Sequence, residues 1–391
     1  MVVDTPEKLA ALIGWGHDTY TGRSISGLSA MQMSTVFGCV RVLSESVGML
    51  PCKLFEQTSN SKTVATDHKL NALLSSAPNG YMTAQEFWEL LIVCLCLRGN
   101  FYAYKVKVMG DVQELLPIDP GHVSPKLNNN HEPEYTVTFS GGKTQILSQD
   151  EIWHVRLFTL DGLVGLNPIA YAREAIALGM STEEHGATLF KNGAVSSGVL
   201  RTENSLSDVA FNRLKEQFEN NHQGVANAHK PMILEMGLDW KPISLNAEDS
   251  QFLETRKFQR DEICAFFRVP PHLVANLDKA TFNNIEHLGL SFVNYSLVPY
   301  LTRIESRVSV GLLKEKDRGR YYAKFNTGAL LRGDLKSRYE AYAKGINWGI
   351  LSPNDARELE DMNPYDGGEH YLTPLNMTTD AENSNADDKT A

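Results

Sequence analysis

The chain has 391 residues, 42 % of them hydrophobic, with a formal net charge of −10 and five cysteines. Its length and apolar share allow two or three folded domains, while Lys and Arg dispersed through an acidic chain exclude the basic stripe of a protein that grips nucleic acid. The longest apolar run, Leu90 to Leu97, has eight residues, far short of the ~18 that cross a bilayer, and the first thirty residues carry no cationic leader. Neither secretion nor a membrane is expected. Cys39, Cys52, Cys94, Cys96 and Cys264 are scattered among apolar neighbours, as small hydrophobes in a reducing cytoplasm would be.

An amphipathic segment from Thr5 to Ile13 comes first. Val36, Val40, Leu43 and Val47 then mark one face of a helix from Ser34 to Val47, with Ser34 as the expected N-cap and Pro51 as the stop. Cys52 to Glu56 alternates as a strand does. Thr83 and Glu86 form a capping box for a second helix, which ends at Gly99 and Asn100. Short strands with turn punctuation fill Phe101 to Val155, including the turn at Asp119-Pro120-Gly121-His122.

A more helical character begins at Asn167, a cap followed by Pro168 at the position that suits proline best, and the helix is expected to reach Asn192. Gly198 to Arg201 reads as a strand and Ser207 to Asn220 as an amphipathic helix. Met232 to Met236 with Trp240 to Leu245 reads as a hairpin about Gly237. A helix with a charged middle returns from about Glu248 to Arg268 and ends at Pro270 and Pro271. After a loop from His272 to Thr281, apolar positions Ile285, Leu288, Phe292, Tyr295, Val298, Leu301, Ile304, Val308 and Leu312 predict a helix of about thirty residues, unusually long. Pro299 lies inside it and predicts a kink. A strand from Tyr321 to Phe325, a helix capped by Asp334 and a helix with a Ser352/Asp355 capping box follow. The polar tail from Met377 onward is expected to be disordered.

Chemistry-bearing motifs are absent from the sequence. The eleven histidines include no pair at i, i+4, and Cys94-x-Cys96 has no second ligand pair nearby, so no metal is expected. Gly141-Gly142-Lys143-Thr144 imitates the end of a phosphate-binding loop, but the first glycine of that motif would fall at Val137 inside a strand. Consecutive helical residues such as Glu183, Glu184 and His185 point in different directions and do not make one acid/base site. Asp334 in Arg332-Gly333-Asp334 reads as a helix cap rather than part of an adhesion motif. No catalytic residue and no cofactor is expected.

The order of elements, with the wording VFGCVRVLSESVGMLPCKLFE, LRGNFYAYK, GLVGLNPIAYAREAIALG, FKNGAVSSGVL, FLETRKFQRDEICAFFRVPPHLV, TFNNIEHLGLSFVNYSLVPYLTRIE and LSPNDARELEDMNPYDGGEHYLTPLNM, resembles the portal proteins of tailed bacteriophages, in particular the HK-type siphophage portal family. The resemblance spans roughly residues 34 to 377. It implies an α+β portal fold: a mixed α/β wing, a helical stem, a small α/β clip, a long kinked tunnel helix and a short helical crown. Carried over by position, 1–33 is an N-terminal arm, 34–166 the wing, 167–193 and 247–269 the stem helices, and 194–246 the clip. The tunnel loop is 270–283, the tunnel helix 284–314, the wing return strand 315–333, the crown 334–376 and the tail 377–391.

The implied function is a dodecameric ring at one capsid vertex, a channel for packaging and ejecting double-stranded DNA, assembled in the host cytoplasm. The implied partners are further copies of the chain, the terminase large subunit, the head-tail connector and the major capsid protein. Arg213, Lys215, Glu216 and Glu219 are the candidates for the clip surface that meets motor and connector. DNA sliding through a lumen calls for phosphate contacts without base readout and with few cations; the candidates are Asn276, Lys279, Thr281, Asn283 and Asn284, where Lys279 is the one cation between Arg268 and Arg303. Two other readings compete: a different phage minor capsid or connector protein, and a hydrolase with no recognised motif.

Overall fold

The computed structural model describes residues 19–58, 61–139, 141–191, 198–202, 207–222, 239–242, 246–274, 288–330, 335–360 and 362–372. The chain divides into two compact units, Met1–Asn326 and Thr327–Ala391. The amphipathic segment from Thr5 to Ile13 lies outside the described residues, as does the tail.

In the first unit, a single turn α1 (Gly27–Ala30), closed by a Ser26/Ser29 capping box, leads into α2 (Ser34–Gly48). Val36, Cys39, Val40, Leu43 and Val47 are buried along one side of α2, as their spacing requires. Its N-cap differs from the expectation. Met33 takes the extended cap conformation with no side-chain cap bond, and Ser34 is already helical. The Met33 side chain is buried beside Gly179, where a Cβ would lie 3.2 Å from its sulfur, and it has no polar group with which to cap.

Strand β1 (Cys52–Gln57) lies between β2 (Lys62–Val64) and the distant β11 (Tyr321–Phe325), so that a strand from late in the chain completes a sheet begun early in it. Its register pairs Cys52 with Phe325 and Glu56 with Tyr321, antiparallel. Helix α3 (Lys69–Ser75) precedes α4 (Ala84–Arg98), whose Thr83/Glu86 capping box forms as expected. Gly99 stops α4 at φ +74, in the left-handed region, where a Cβ would overlap the Leu166 carbonyl oxygen; only glycine fits.

Strands β3 (Asn100–Val108), β4 (Asp111–Ile118) and β8 (Ile152–Arg156) make one antiparallel sheet in the order β4-β3-β8. Strands β5 (Val123–Leu127), β6 (Pro133–Thr138) and β7 (Thr144–Ser148) make another, with Gly141 and Gly142 at positive φ in the connecting turn, which is the hairpin the sequence implied. The core here is aromatic. Phe87, Trp88, Phe101, Trp153 and Phe325 meet mostly edge to face with ring centroids 5.2–6.4 Å apart, a geometry worth about 0.5–1.5 kcal/mol per pair beyond burial.

Helix α5 (Pro168–Lys191) starts under an Asn167 cap whose Oδ1 accepts from the amides of Ile169 at 3.0 Å and Ala170 at 3.3 Å. Beyond it, β9 (Gly198–Arg201), α6 (Asp208–His222) and β10 (Asp239–Pro242) form a small α/β element. Strand β10 pairs antiparallel with β9, Asp239 opposite Arg201; the expected hairpin about Gly237 lies outside the described residues, since neither Met232 to Met236 nor Gly237 is among them. The chain returns through α7 (Asn246–Phe267), which packs along α5. A π-helical turn, Phe292–Leu297, runs into α8 (Val298–Gly311), and β11 follows.

The second unit contains α9 (Leu335–Asn347) and α10 (Pro353–Leu359). The two helices are joined by Arg338 Nε at 2.7 Å and the Tyr342 hydroxyl at 2.8 Å, both on Glu360 Oε1. The Ser352/Asp355 capping box is present, while Asp334, the expected cap of α9, lies outside the described residues.

Candidate functional site

Helices α5 and α7 are the longest helices described, and they pair side by side. Gly179 lies at this pairing and leaves room for Met33, since a Cβ there would lie 2.5 Å from the Met33 methyl carbon but at an ordinary 3.6 Å from Gln259 Oε1 on α7. Farther along, Arg256 Nη2 reaches Glu183 Oε1 at 3.4 Å across the pair. The neighbouring carboxylate, Glu184, instead bonds Arg23, so the two acids serve different partners and form no joint acid/base site. Residues 19–33 lie along α5: the Tyr20 amide donates to Glu174 at 3.1 Å, and Arg23 and Met33 make the contacts already named. The outward faces of the pair expose Tyr171, Leu178, Phe258 and Phe266. Large apolar side chains in a row on paired helices are what a protein-protein contact requires.

At its C-terminus α7 reverses sharply. Arg268 has φ +56, a conformation an L side chain adopts at a cost, and it is held there by two bonds. The Val269 amide donates to the Cys264 carbonyl at 2.9 Å, and the Ser296 hydroxyl donates to the Arg268 carbonyl. Pro271–Val274 then forms a 3₁₀ turn against α2, with Val274 so close to Gly38 that a Cβ there would lie 3.2 Å from it. The flank of segment 275–287 on its N-terminal side is thus held by packing. The candidate DNA-facing residues Asn276, Lys279, Thr281, Asn283 and Asn284 lie outside the described residues.

Pro299 stands inside a run that is helical from residue 288 to 311, so its missing N–H falls within the backbone ladder rather than at a free end. The turn before it is π-helical, with the Val298 amide bonding back five residues to Val293. This widened turn changes the phase of the apolar stripe. Phe292, Val293, Ser296 and Leu297 are buried, whereas Tyr295 is 71 % exposed and Val298 also faces outward, contrary to the regular α-helical spacing expected for them. Past the proline the stripe resumes as expected with Leu301, Ile304 and Val308.

Several long-range bonds tie α8 to the sheets. Trp153 Nε1 donates to the Arg307 carbonyl at 2.9 Å, Arg303 Nη1 to the Arg156 carbonyl at 3.1 Å, and Glu305 accepts from Lys324 Nζ at 2.9 Å and from the Phe325 amide at 3.0 Å. Lys105, buried, donates from Nζ to the carbonyls of Gln149 and Gly311, both at 3.0 Å, so that its charge sits at the C-terminal end of α8. Burial, with the Lys107 charge nearby, lowers its pKa to about 8.

His154 is also enclosed. Its Nε2 lies 3.0 Å from Asn100 Oδ1 and its Nδ1 3.3 Å from the Tyr135 hydroxyl, while Asn100 bonds both the amide and the carbonyl of Gly165 at 2.8 Å. Burial first, then the Arg156 and Arg307 charges, lower the His154 pKa to about 3, so the ring is neutral. Lys105, Tyr135, His154 and Arg307 border a cavity of about 730 Å³. Sequence reasoning missed this network and the Arg268 reversal; the polar Asn100 at the start of β3 and Lys105 within it, beside apolar and aromatic residues, were the available signal.

In the small α/β element, Arg213, Lys215 and Glu216 are exposed on α6, and Glu219 belongs to the same helix. Among the described residues no group of three or more His, Cys, Asp or Glu side chains could hold a metal ion, and no helix is long and apolar enough to cross a membrane.

Residues 34–361 match the family model described as phage portal protein. The chain belongs to that family. It is 36 % identical to the portal protein of Enterobacteria phage HK97 over 360 residues, 88 % of this chain and 82 % of that one. The probable portal protein of Streptomyces phage phiC31 is 31 % identical, over 91 % of this chain and 81 % of its own. A solved chain in the neck of the native gene transfer agent particle, computed with C12 symmetry, superposes with a TM-score of 0.59 and 25 % identity, covering 91 % of this portal chain and 98 % of its own. The α+β portal fold is therefore present in this protein, and its relatives build ring-symmetric assemblies at the neck of phage-like particles.

Proposed function

We propose that this portal protein assembles into a dodecameric ring at one capsid vertex and serves as the channel through which double-stranded DNA is packaged and later ejected. The observation that carries the reading is the family match across residues 34–361, joined to a fold it shares with a chain of a C12-symmetric neck. A cyclic ring needs a heterologous interface, one face of a subunit against a different face of the next. Helices α5 and α7 supply such surfaces, with Tyr171, Leu178, Phe258 and Phe266 exposed beside the charged Glu254, Arg256 and Lys257.

In this reading α5 and α7 are the stem, and the β9-α6-β10 element is the clip, which meets the terminase large subunit and then the head-tail connector. Segment 270–283 faces the lumen, 334–376 forms the crown, and the major capsid protein surrounds the ring. Motor chemistry belongs to the terminase, and the ring is assembled in the host cytoplasm. With a net charge of −10 on every copy, the assembled channel repels phosphate except at local cations, which favours sliding over gripping. Negative-stain microscopy of the purified chain tests the ring directly: closed rings with a central hole are expected, and monomers persisting at high concentration refute it.

A further inference from the structure

Two thiols remain outside the proposed function. Cys39 on α2 and Cys264 on α7 are both free and fully buried, with their sulfurs 3.9 Å apart across 225 residues of sequence. The helices that carry them are packed together, so the approach is made by secondary structure rather than by a loop. A disulfide needs the sulfurs at about 2.05 Å, so closure brings the two together by roughly 2 Å from their present 3.9 Å. We infer that Cys39 and Cys264 are a modification site, closing to a disulfide under peroxide and stapling α2 to the last turns of α7.

The two sulfurs are not equivalent. The Cys39 thiol donates to the Cys264 sulfur, and this bond lowers the Cys264 pKa while raising that of Cys39. Cys94 and Cys96 are both pushed up to about 12 by burial, and Cys52 is pushed up further. Cys264 is therefore the sulfur that attacks first, since the thiolate is the nucleophile. Its thiolate attacks one oxygen of hydrogen peroxide and the O–O bond breaks; the departing hydroxide takes the proton lost from Cys264, leaving water and a sulfenic acid. The Cys39 sulfur then attacks Cys264, the S–O bond breaks, and the leaving oxygen departs as a second water with the Cys39 proton. In sum, two thiols and one peroxide become one disulfide and two waters.

The consequence is local. Cys264 lies one turn before Arg268, and its carbonyl already holds the Val269 amide. A covalent tie at this point would fix the reversal that leads toward segment 270–283 onto α2. Cys96, whose charge is felt at Cys39, is the competing partner, but its thiol is engaged with Tyr300.

The full-length protein, purified under reductant and exposed to graded hydrogen peroxide, provides the test. Free thiols are alkylated, the chain is digested without reduction, and linked peptides are identified by mass spectrometry. One pair joining Cys39 to Cys264 is expected, rising with peroxide, reversed by dithiothreitol, and accompanied by an upward shift of the thermal midpoint. That shift should be missing in Cys264→Ala. If both cysteines stay alkylatable, if Cys39 links to Cys96 instead, or if Cys264 over-oxidises with no link, the inference is overturned on the unmutated chain alone.

Discussion

The hydroxyl of Ser296 donates its hydrogen bond to the backbone carbonyl of Arg268, joining the π-helical turn before Pro299 to a residue held at φ +56. Ser296 is buried, so the bond is made away from water and its loss leaves the carbonyl without that donor. Replacing Ser296 by Ala should cost about 1–3 kcal/mol, read as a lower midpoint in urea unfolding. Arg268→Gly should be tolerated better than Arg268→Val, because glycine accepts positive φ and a β-branched side chain does not. Equal stability of the two Arg268 variants would show that the reversal stores no strain.

His154 makes stability depend on pH. Its folded-state pKa of about 3 lies below the ordinary histidine value of 6.5, so between these values the unfolded chain binds the proton and the folded chain does not. Stability is therefore full above about pH 6.5 and is lost as pH falls toward 3, with a slope of at most ~1.4 kcal/mol per pH unit from this group. Denaturant unfolding across that window should show a smaller slope in His154→Gln; an unchanged slope would remove His154 from the account.

Deleting Leu277 to Thr281 tests the lumen assignment of segment 270–283. Rings should still form, because the described contacts of Val274 and Ser296 lie outside the deletion. Packaged or retained DNA should fall. Packaging of full-length DNA by the deletion variant would mean that these residues do not meet the DNA.

Charge reversal at Arg213 and Lys215 addresses the clip. Both are exposed on α6, so Arg213→Glu with Lys215→Glu should change stability by less than ~0.5 kcal/mol while weakening association with the terminase large subunit, measured in a pull-down of purified components. Undiminished association would move the motor contact elsewhere.

Much of the architecture was legible in local sequence. The spacing of Val36, Val40, Leu43 and Val47, the Thr83/Glu86 and Ser352/Asp355 boxes, the Asn167-Pro168 start and the Gly141-Gly142 turn all appear in the structure as read. Each depends on residues within about one turn of one another, where amphipathic period and capping chemistry act. For the candidate site, the exposed charges of α6 were legible for the same reason, as the polar face of an amphipathic helix.

Tertiary structure decided what depends on residues far apart. Met33 rather than Ser34 holds the N-cap position of α2, its side chain buried beside Gly179, and β10 pairs with β9 across nearly forty residues. Pro299 marked a break in the long helix, but the π turn that turns Tyr295 outward and Ser296 inward is seen only in the folded chain. The same holds for Ser296 on Arg268 and Cys39 beside Cys264. Sequence by itself determined where the helices and turns of this portal protein lie, since short-range hydrogen bonding and periodicity set them. Only the packed chain decided which of them touch, since a contact between distant residues is a property of burial and has no local signature.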